Sequence, residues 1–260
     1  MATKTPDARR TTGVLGSPGK LTGKVALVTG AGRRVGQAIA IAMARAGADI
    51  VIHWNTSRAG AQETARKVNA LGRRSFAVQA DLRDAVAIQE MVEAADRRMG
   101  GLDALVNSAS TFGRTPFAEI TQEMWDDILR VNLTGAFLLA QAAAPLLANR
   151  HGSIVNICDV IGQRPLRGYV HHATSKAALA ALTLGLALEL APKVRCNGVA
   201  PGTVLPPDSL DEAEKTSILA KIPADRFGTP DDVAAAVVYL ATAPFVTGVI
   251  LPVDGGRLLT

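Results

Sequence analysis

The feature that most narrows what this chain can fold into is the alternation of strand-like with helix-like segments along almost its whole length. Seven short apolar runs, 24–30, 49–54, 75–80, 102–107, 153–158, 194–199 and 248–252, read as strands. Between them, amphipathic stretches at 35–46, 59–71, 84–99, 121–131, 134–149, 172–190 and 231–242 read as helices. Strand and helix in repeated alternation imply a parallel sheet whose right-handed crossovers cover both faces. The strands are nearly continuous in Val, Ile, Leu and Ala, the pattern of strands buried on both sides. With 260 residues, 48% of them apolar and 20% charged, the chain has the material for one large core. The expected fold class is α/β, a single doubly wound parallel sheet of about seven strands spanning residues 21–260.

Residues 1–20 differ from the rest, being rich in Thr, Gly, Pro and basic side chains without apolar periodicity, and are expected to form a disordered tail. In that tail Lys4, Arg9, Arg10 and Lys20 stand against Asp7 alone, a net of +3 out of the chain's +5, so the body carries only +2. A nucleic-acid partner therefore finds little support. No apolar run is read as long enough to cross a bilayer, and no membrane partner is expected. Cys158 and Cys196 lie in apolar runs and form no C-x-x-C pair, which suits buried reduced thiols and a cytoplasmic location. The four histidines show no H-x-x-x-H or comparable cluster, so no metal site is expected.

The first strand runs into Thr29-Gly30-Ala31-Gly32-Arg33-Arg34-Val35-Gly36 and then a helix. Glycine lets a backbone turn sharply and approach a pyrophosphate, and the helix N-terminus favours the anion. In this strand–turn–helix setting the motif predicts a Rossmann-type dinucleotide site. The end of the second strand separates NAD from NADP. An NAD site places a carboxylate there for the ribose 2′-hydroxyl. Here the chain reads His53-Trp54-Asn55-Thr56-Ser57-Arg58, with no acid and with Arg33, Arg34 and Arg58 near the same point. Cations and hydroxyls suit a 2′-phosphate, so NADPH is the expected cofactor. His53 is read as an adenosine-side residue, and Trp54 as a packing residue beside the adenine.

From Leu21 to the C-terminus the chain resembles the short-chain dehydrogenase/reductase family. The resemblance rests on the TGxxxRxG turn, Asp81-Leu82 after the third strand, and Asn107-Ser108-Ala109-Ser110 after the fourth. It rests also on Asn132, Pro201-Gly202 after the sixth strand, and Val253-Asp254-Gly255-Gly256. It implies cofactor contacts from Gly30, Arg33, Arg34, Val35, Gly36, Asn55, Ser57, Asp81, Leu82, Ser108, Ala109, Ser110, Lys176, Pro201 and Gly202. Within that family the chain is similar to the pteridine reductases. Arg34 replaces the middle glycine of the turn, Ser110-Thr111-Phe112 follows the fourth strand, and Asp159 stands where most members have serine. The likeness implies a pterin held between Phe112 and the nicotinamide, with Arg34, Ser110, Asp159 and position 172 around it. A homotetramer is a further implication.

One position departs from the family. Its Tyr-x-x-x-Lys signature is His172-Ala173-Thr174-Ser175-Lys176 here, thirteen residues after Asp159, and Tyr169 stands three residues early. By resemblance the tyrosine gives a proton, Lys176 lowers its pKa and binds ribose, and Asn132 positions a water and Lys176. Imidazole has an ordinary pKa of about 6.5, suited to proton transfer near neutrality. Lys176 disfavours a charged imidazole and an ionised Asp159 favours it. His172 and Asp159 are therefore expected to deliver the proton together, with direct donation from a protonated Asp159 as the other route. The expected activity is NADPH-dependent reduction of a 7,8-dihydropterin to its tetrahydro form. Two alternatives stay open: reduction of another small carbonyl, and a non-catalytic NADP(H)-binding protein.

Overall fold

The computed structural model describes residues 19–206 and 211–260. Seven strands, β1 (Val25–Val28), β2 (Asp49–Trp54), β3 (Ser75–Gln79), β4 (Ala104–Asn107), β5 (Ser153–Ile157), β6 (Arg195–Pro201) and β7 (Ile250–Val253), form one sheet. Their spatial order is β3-β2-β1-β4-β5-β6-β7 and every pairing is parallel.

Successive side chains of a strand point to opposite faces, and each face has its own helical cover. Ala26 and Val28 of β1 join Ile50 and Ile52 of β2 in one core. That core is closed by α1 (Arg34–Arg45), α2 (Arg58–Ala70) and α8 (Pro230–Thr242) through residues such as Ile39, Met43, Val68, Val233 and Val237. Val25, Leu27 and Val51 face the other way, against α3 (Ala85–Met99) and α5 (Gly135–Asn149), with Ile88, Met91, Leu139 and Leu147. Each such large side chain stabilises the fold by about 1.5–3 kcal/mol relative to exposure. Helix starts follow local chemistry: Asp84 caps α3 by accepting from Val86 N at 2.8 Å, and Thr229 with Asp232 forms a capping box on α8.

Two parts of the sequence reading are corrected. The stretches 121–131 and 134–149 are one continuous helical rod. α4 (Gln122–Leu129) passes through a wide π turn, Arg130–Thr134, directly into α5. Gln122–Asn149 is then 28 residues long and apolar enough, by length and composition, to cross a membrane. It buries Ile128, Ala136, Leu139, Ala140, Ala143 and Leu147 within the protein, as a core helix does. Secondly, a helix α7 (Glu212–Leu219) stands in a stretch where the sequence pattern predicts none. Its capping box, Asp211 with Glu214, was the overlooked signal. α6 (Val170–Glu189) starts two residues before the expected helix. The tail reading falls on residues 1–18, outside the described residues; Gly19 and Lys20 form a turn leading to buried Leu21.

Candidate active site

In an open parallel sheet, ligands sit beyond the C-terminal ends of the strands, where the strand order reverses direction. Here that point lies between β1 and β4. The turn after β1 and the segments after β2, β3, β4, β5 and β6 all open there, and they carry most of the residues expected from the sequence to form the site.

The β1 turn is packed backbone to backbone. Thr29 Oγ1 accepts from the N–H groups of Ser108 and Ala109, both at 2.9 Å, and so ties the turn to the end of β4. Gly30 has φ +64°, and a methyl group on it would lie 3.0 Å from the Ala109 Cα. A side chain on Gly36 would run into the Gly30 carbonyl. α1 then begins with no side chain capping it and no acid in its first turn, leaving its N–H groups directed at the cleft. These features fit a pyrophosphate: a glycine cradle at a helix N-terminus with uncompensated donors. Arg34 is held at φ +51°, a conformation that costs a non-glycine residue about 1–2 kcal/mol. Its Nη2 donates to the Leu205 carbonyl at 3.3 Å, reaching across the cleft to the segment after β6. A strained residue retained at a cleft is the usual mark of a functional position. Val35 packs on the core below, Pro201 ends β6, and the Gly202 N–H donates to Val253 O at 2.9 Å.

His53 does not face the adenosine side. It is buried, its Nδ1 accepts from Gly30 N–H at 3.2 Å, and its Nε2 bonds the Ala80 carbonyl at 3.1 Å. An Nδ1 that accepts carries no proton, so the proton sits on Nε2 and is donated to Ala80. His53 is thus a neutral strut joining the phosphate turn to β2 and the end of β3. Burial pushes its pKa below the ordinary value of about 6.5. The folded state then binds fewer protons than the unfolded one at that site. His53's contribution is complete above about pH 6.5 and is lost as pH falls toward the lowered folded value. Urea unfolding from pH 7.5 to 4.5 is expected to show a shallower acid decline in His53→Asn than in wild type; equal slopes would contradict this.

Around the end of β2, Gly32 closes on Ser57; a methyl at Gly32 would lie 2.9 Å from the Ser57 carbonyl oxygen. Arg33 and Arg58 are the chain neighbours of these two residues, and among the described residues neither forms an ion pair. The Asn55 side chain donates to the Asp81 carboxylate, Trp54 packs on the core, and Leu82 is buried. Asp81 is held by Arg83 at 2.6 Å, and Arg83 holds its carboxyl below the ordinary value. Arg83 also reaches Asp127 at 2.8 Å.

The second half of the site gathers on β5 and α6. Asp159 Oδ1 accepts from Ile161 N–H at 2.9 Å, and its Oδ2 lies 3.6 Å from His172 Nε2. His172 is 2% exposed, and neither ring nitrogen has a hydrogen-bond partner. A buried polar atom left unpaired costs about 1–3 kcal/mol, so the imidazole is poised for a group that the protein itself does not supply. Phe112 stands edge-on to His172, centroids 4.7 Å apart, and 5.2 Å from Tyr169. The Phe112 ring is itself 61% exposed, a large apolar face open at the mouth of the cleft. Ser110 Oγ donates to Thr111 O at 3.1 Å beside it. Lys176 is fully buried, and its Nζ donates to the Ile157 carbonyl at 2.8 Å. Burial lowers its pKa, while Asp159 acts in the opposite direction. Cys158 and Cys196 are free and buried, and burial raises both thiols, Cys158 to about 11.

Asn132 ties three elements together through its side chain. It sits in the π turn between α4 and α5, a conformation common at functional sites. Its Oδ1 accepts from Thr111 N–H at 2.8 Å, and its Nδ2 donates to Thr111 O at 3.1 Å and Ser175 Oγ at 3.0 Å. Ser175 Oγ in turn donates to the His172 carbonyl at 2.7 Å. Asn132 therefore clamps the loop bearing Phe112 to the helix bearing His172. Thr29, Thr111 and Ser175 stand within the motifs without a role that their spacing predicts, because a hydroxyl's partner on another element has no local signal in the sequence.

Residues 30–257 match the profile of the family described as enoyl-(acyl carrier protein) reductase. An uncharacterized oxidoreductase of Methylorubrum extorquens is 38% identical over 245 residues, covering 91% of this chain and 98% of its own. The 3-oxoacyl-(acyl-carrier-protein) reductase of Staphylococcus aureus is 35% identical, over 91% of this chain and 98% of its own. The chain belongs to the short-chain dehydrogenase/reductase family. Among solved structures, a short-chain alcohol dehydrogenase of Sinorhizobium meliloti, described as putative, superposes with a TM-score of 0.89 at 37% identity, covering 94% of this chain and all of its own. A blue fluorescent protein from a metagenomic library, solved with NADPH, gives 0.86 at 33% identity over 92% of this chain and 99% of its own. This short-chain dehydrogenase/reductase is thus a nicotinamide-dependent oxidoreductase by membership.

Proposed function

We propose that this protein is an NADPH-dependent pterin reductase in which His172 and Asp159 supply the proton. The observation that carries the reading is the juxtaposition of an exposed, flat phenylalanine face with an unpartnered buried imidazole and a carboxylate 3.6 Å from it. A planar heterocycle stacks on Phe112, which favours ring substrates over aliphatic alcohols. Asp159 accepts from an amino-pyrimidine edge, and His172 offers its N–H to a ring nitrogen. The nicotinamide, when bound, supplies hydride to the carbon of a C=N bond, and the proton completes the reduction at nitrogen. Lys176 holds ribose hydroxyls from its seat on Ile157 O, and Asn132 keeps the Phe112 loop and α6 in register. Arg33, Arg34 and Arg58 meet the adenosine 2′-phosphate and pyrophosphate. Arg33→Ala with Arg58→Ala is expected to raise the KM for NADPH at least tenfold, about 1.4 kcal/mol, with the KM for NADH unchanged. Equal effects on both would remove these arginines from phosphate recognition.

The substrate test is NADPH oxidation with 7,8-dihydrobiopterin, a small ketone and a 3-oxoacyl thioester. Turnover of the pterin at least tenfold above the carbonyls is the expected result, and turnover of the carbonyls alone would overturn the reading. The name of the Staphylococcus aureus relative favours that second reading, reduction of a carbonyl. We place the protein in a reducing cytoplasm, where Cys158 and Cys196 stay as thiols. We assign it a homotetramer built on the apolar side chains exposed on α5 and α6: Phe137, Leu184 and Leu188. Light scattering reads that directly, and a monomer at micromolar concentration would contradict it.

A further inference from the structure

The rim of the substrate cleft carries a charge that the reduction itself does not use. Residues 105–118 and 160–188, which include both loops framing the cleft and the first turns of α6, contain no aspartate or glutamate. They do contain Arg114, Arg164 and Arg167. The two loops are joined: Thr115 N–H donates to Gly168 O at 2.8 Å, and the Arg114 side chain lies across Gly168, where a methyl would meet its Cγ at 3.1 Å. Arg114 and Arg167 therefore flank the same glycine, one residue from Tyr169 and two from Phe112. Both are exposed, and among the described residues neither forms an ion pair or hydrogen bond. Arg164 Nη1 is held by the Arg257 carbonyl at 3.3 Å, which adds two more cations on the side of the C-terminus. The carboxylates bordering these segments are Glu119 and Glu189, just past their C-terminal ends, and Asp159, at the floor of the site beside His172 and Ile161.

Cations gathered on one rim repel one another, and a surface selected only for solubility intersperses the two signs. A concave site lined by one sign raises the local concentration of the opposite charge. Guanidinium groups bind carboxylate or phosphate through two parallel hydrogen bonds. From this we infer that the substrate bears an anionic tail, carboxylate or phosphate, extending from the reacting group past Phe112 to Arg114 and Arg167. The inference rests on the placement of the substrate beside Phe112 proposed above, but not on the substrate being a pterin.

The test pairs each charged substrate with a neutral one sharing its reacting group. The first pair is 7,8-dihydrofolate, which ends in two carboxylates, against 7,8-dihydrobiopterin; a phosphorylated dihydropterin is a third arm that separates phosphate from carboxylate. The second pair is acetoacetyl coenzyme A against methyl acetoacetate. Within whichever pair turns over, the charged member is expected to have a kcat/KM at least tenfold higher at low ionic strength, falling as salt rises. Arg114→Gln with Arg167→Gln is expected to erase that preference while changing kcat/KM for the neutral member less than threefold. Turnover of the carbonyl pair alone would end the pterin reading and leave the tail proposal standing on its own ratio. A wild-type ratio near one, or a double variant that lowers both members alike, would overturn the tail. If neither pair turns over, fluorescence titration of the NADPH-loaded protein with folate decides: binding weakened tenfold by the double variant supports the tail, and equal or absent binding overturns it.

Discussion

His172→Ala is expected to lower kcat by about a hundredfold or more, the usual worth of a positioned proton donor. The dissociation constant for NADPH should stay within about twofold of wild type. The two halves of that expectation come from separate parts of the structure. The cofactor cradle is built from the β1 turn and the ends of β2, β3 and β4, and His172 makes no hydrogen bond to any of them. Its ring nitrogens bond nothing in the protein, so removing them leaves no donor or acceptor newly orphaned. Asp159→Asn should cost less, about tenfold, because the amide retains an acceptor for Ile161 N–H but loses the charge beside the imidazole. The double variant should resemble His172→Ala alone if the two act as one unit. Additive losses would mean that each acts separately. Steady-state rates with saturating NADPH, together with NADPH fluorescence titrations, read both quantities.

Gly36→Ala is expected to damage stability and cofactor binding at once. The added methyl meets the Gly30 carbonyl, and neither backbone can retreat: Gly30 is tied to His53 and lies against Ala109, and Gly36 belongs to α1. Overpacking of a well-filled site costs about 1–3 kcal/mol, which for a domain of this size lowers Tm by roughly 2–4 °C for each kcal/mol. The larger loss is in NADPH affinity, at least tenfold, because any relief moves the turn away from the pyrophosphate. A variant with unaltered Tm and NADPH affinity would show that the turn is not packed as described.

The sheet was legible because strands buried on both faces are written in continuous apolar runs, and Asp49–Trp54 could be read to the residue. The phosphate turn was legible because its glycines answer a backbone requirement that no other residue meets. The π turn at Arg130–Thr134 was not. It shifts hydrogen bonding by one residue without any composition of its own, and so the rod Gln122–Asn149 looked like two helices. α7 was hidden because its apolar content is slight, and only its cap announced it. His53 was misplaced for a related reason: at the end of a strand, sequence does not say which face a polar ring takes. The structure puts it inward, where Gly30 and Ala80 satisfy both nitrogens. The partners of Asn132 depend on Thr111 and Ser175, on two other elements, and no spacing along the chain encodes that meeting.

We propose that an imidazole beside a carboxylate, His172 with Asp159, gives the proton in this enzyme. The most direct measurement is kcat/KM for dihydropterin reduction against pH in wild type, His172→Asn and Asp159→Asn. The expected result is a wild-type rate that falls on the alkaline side, as general-acid catalysis requires, and the loss of that fall in His172→Asn. A wild-type profile unchanged in shape by either substitution would contradict it.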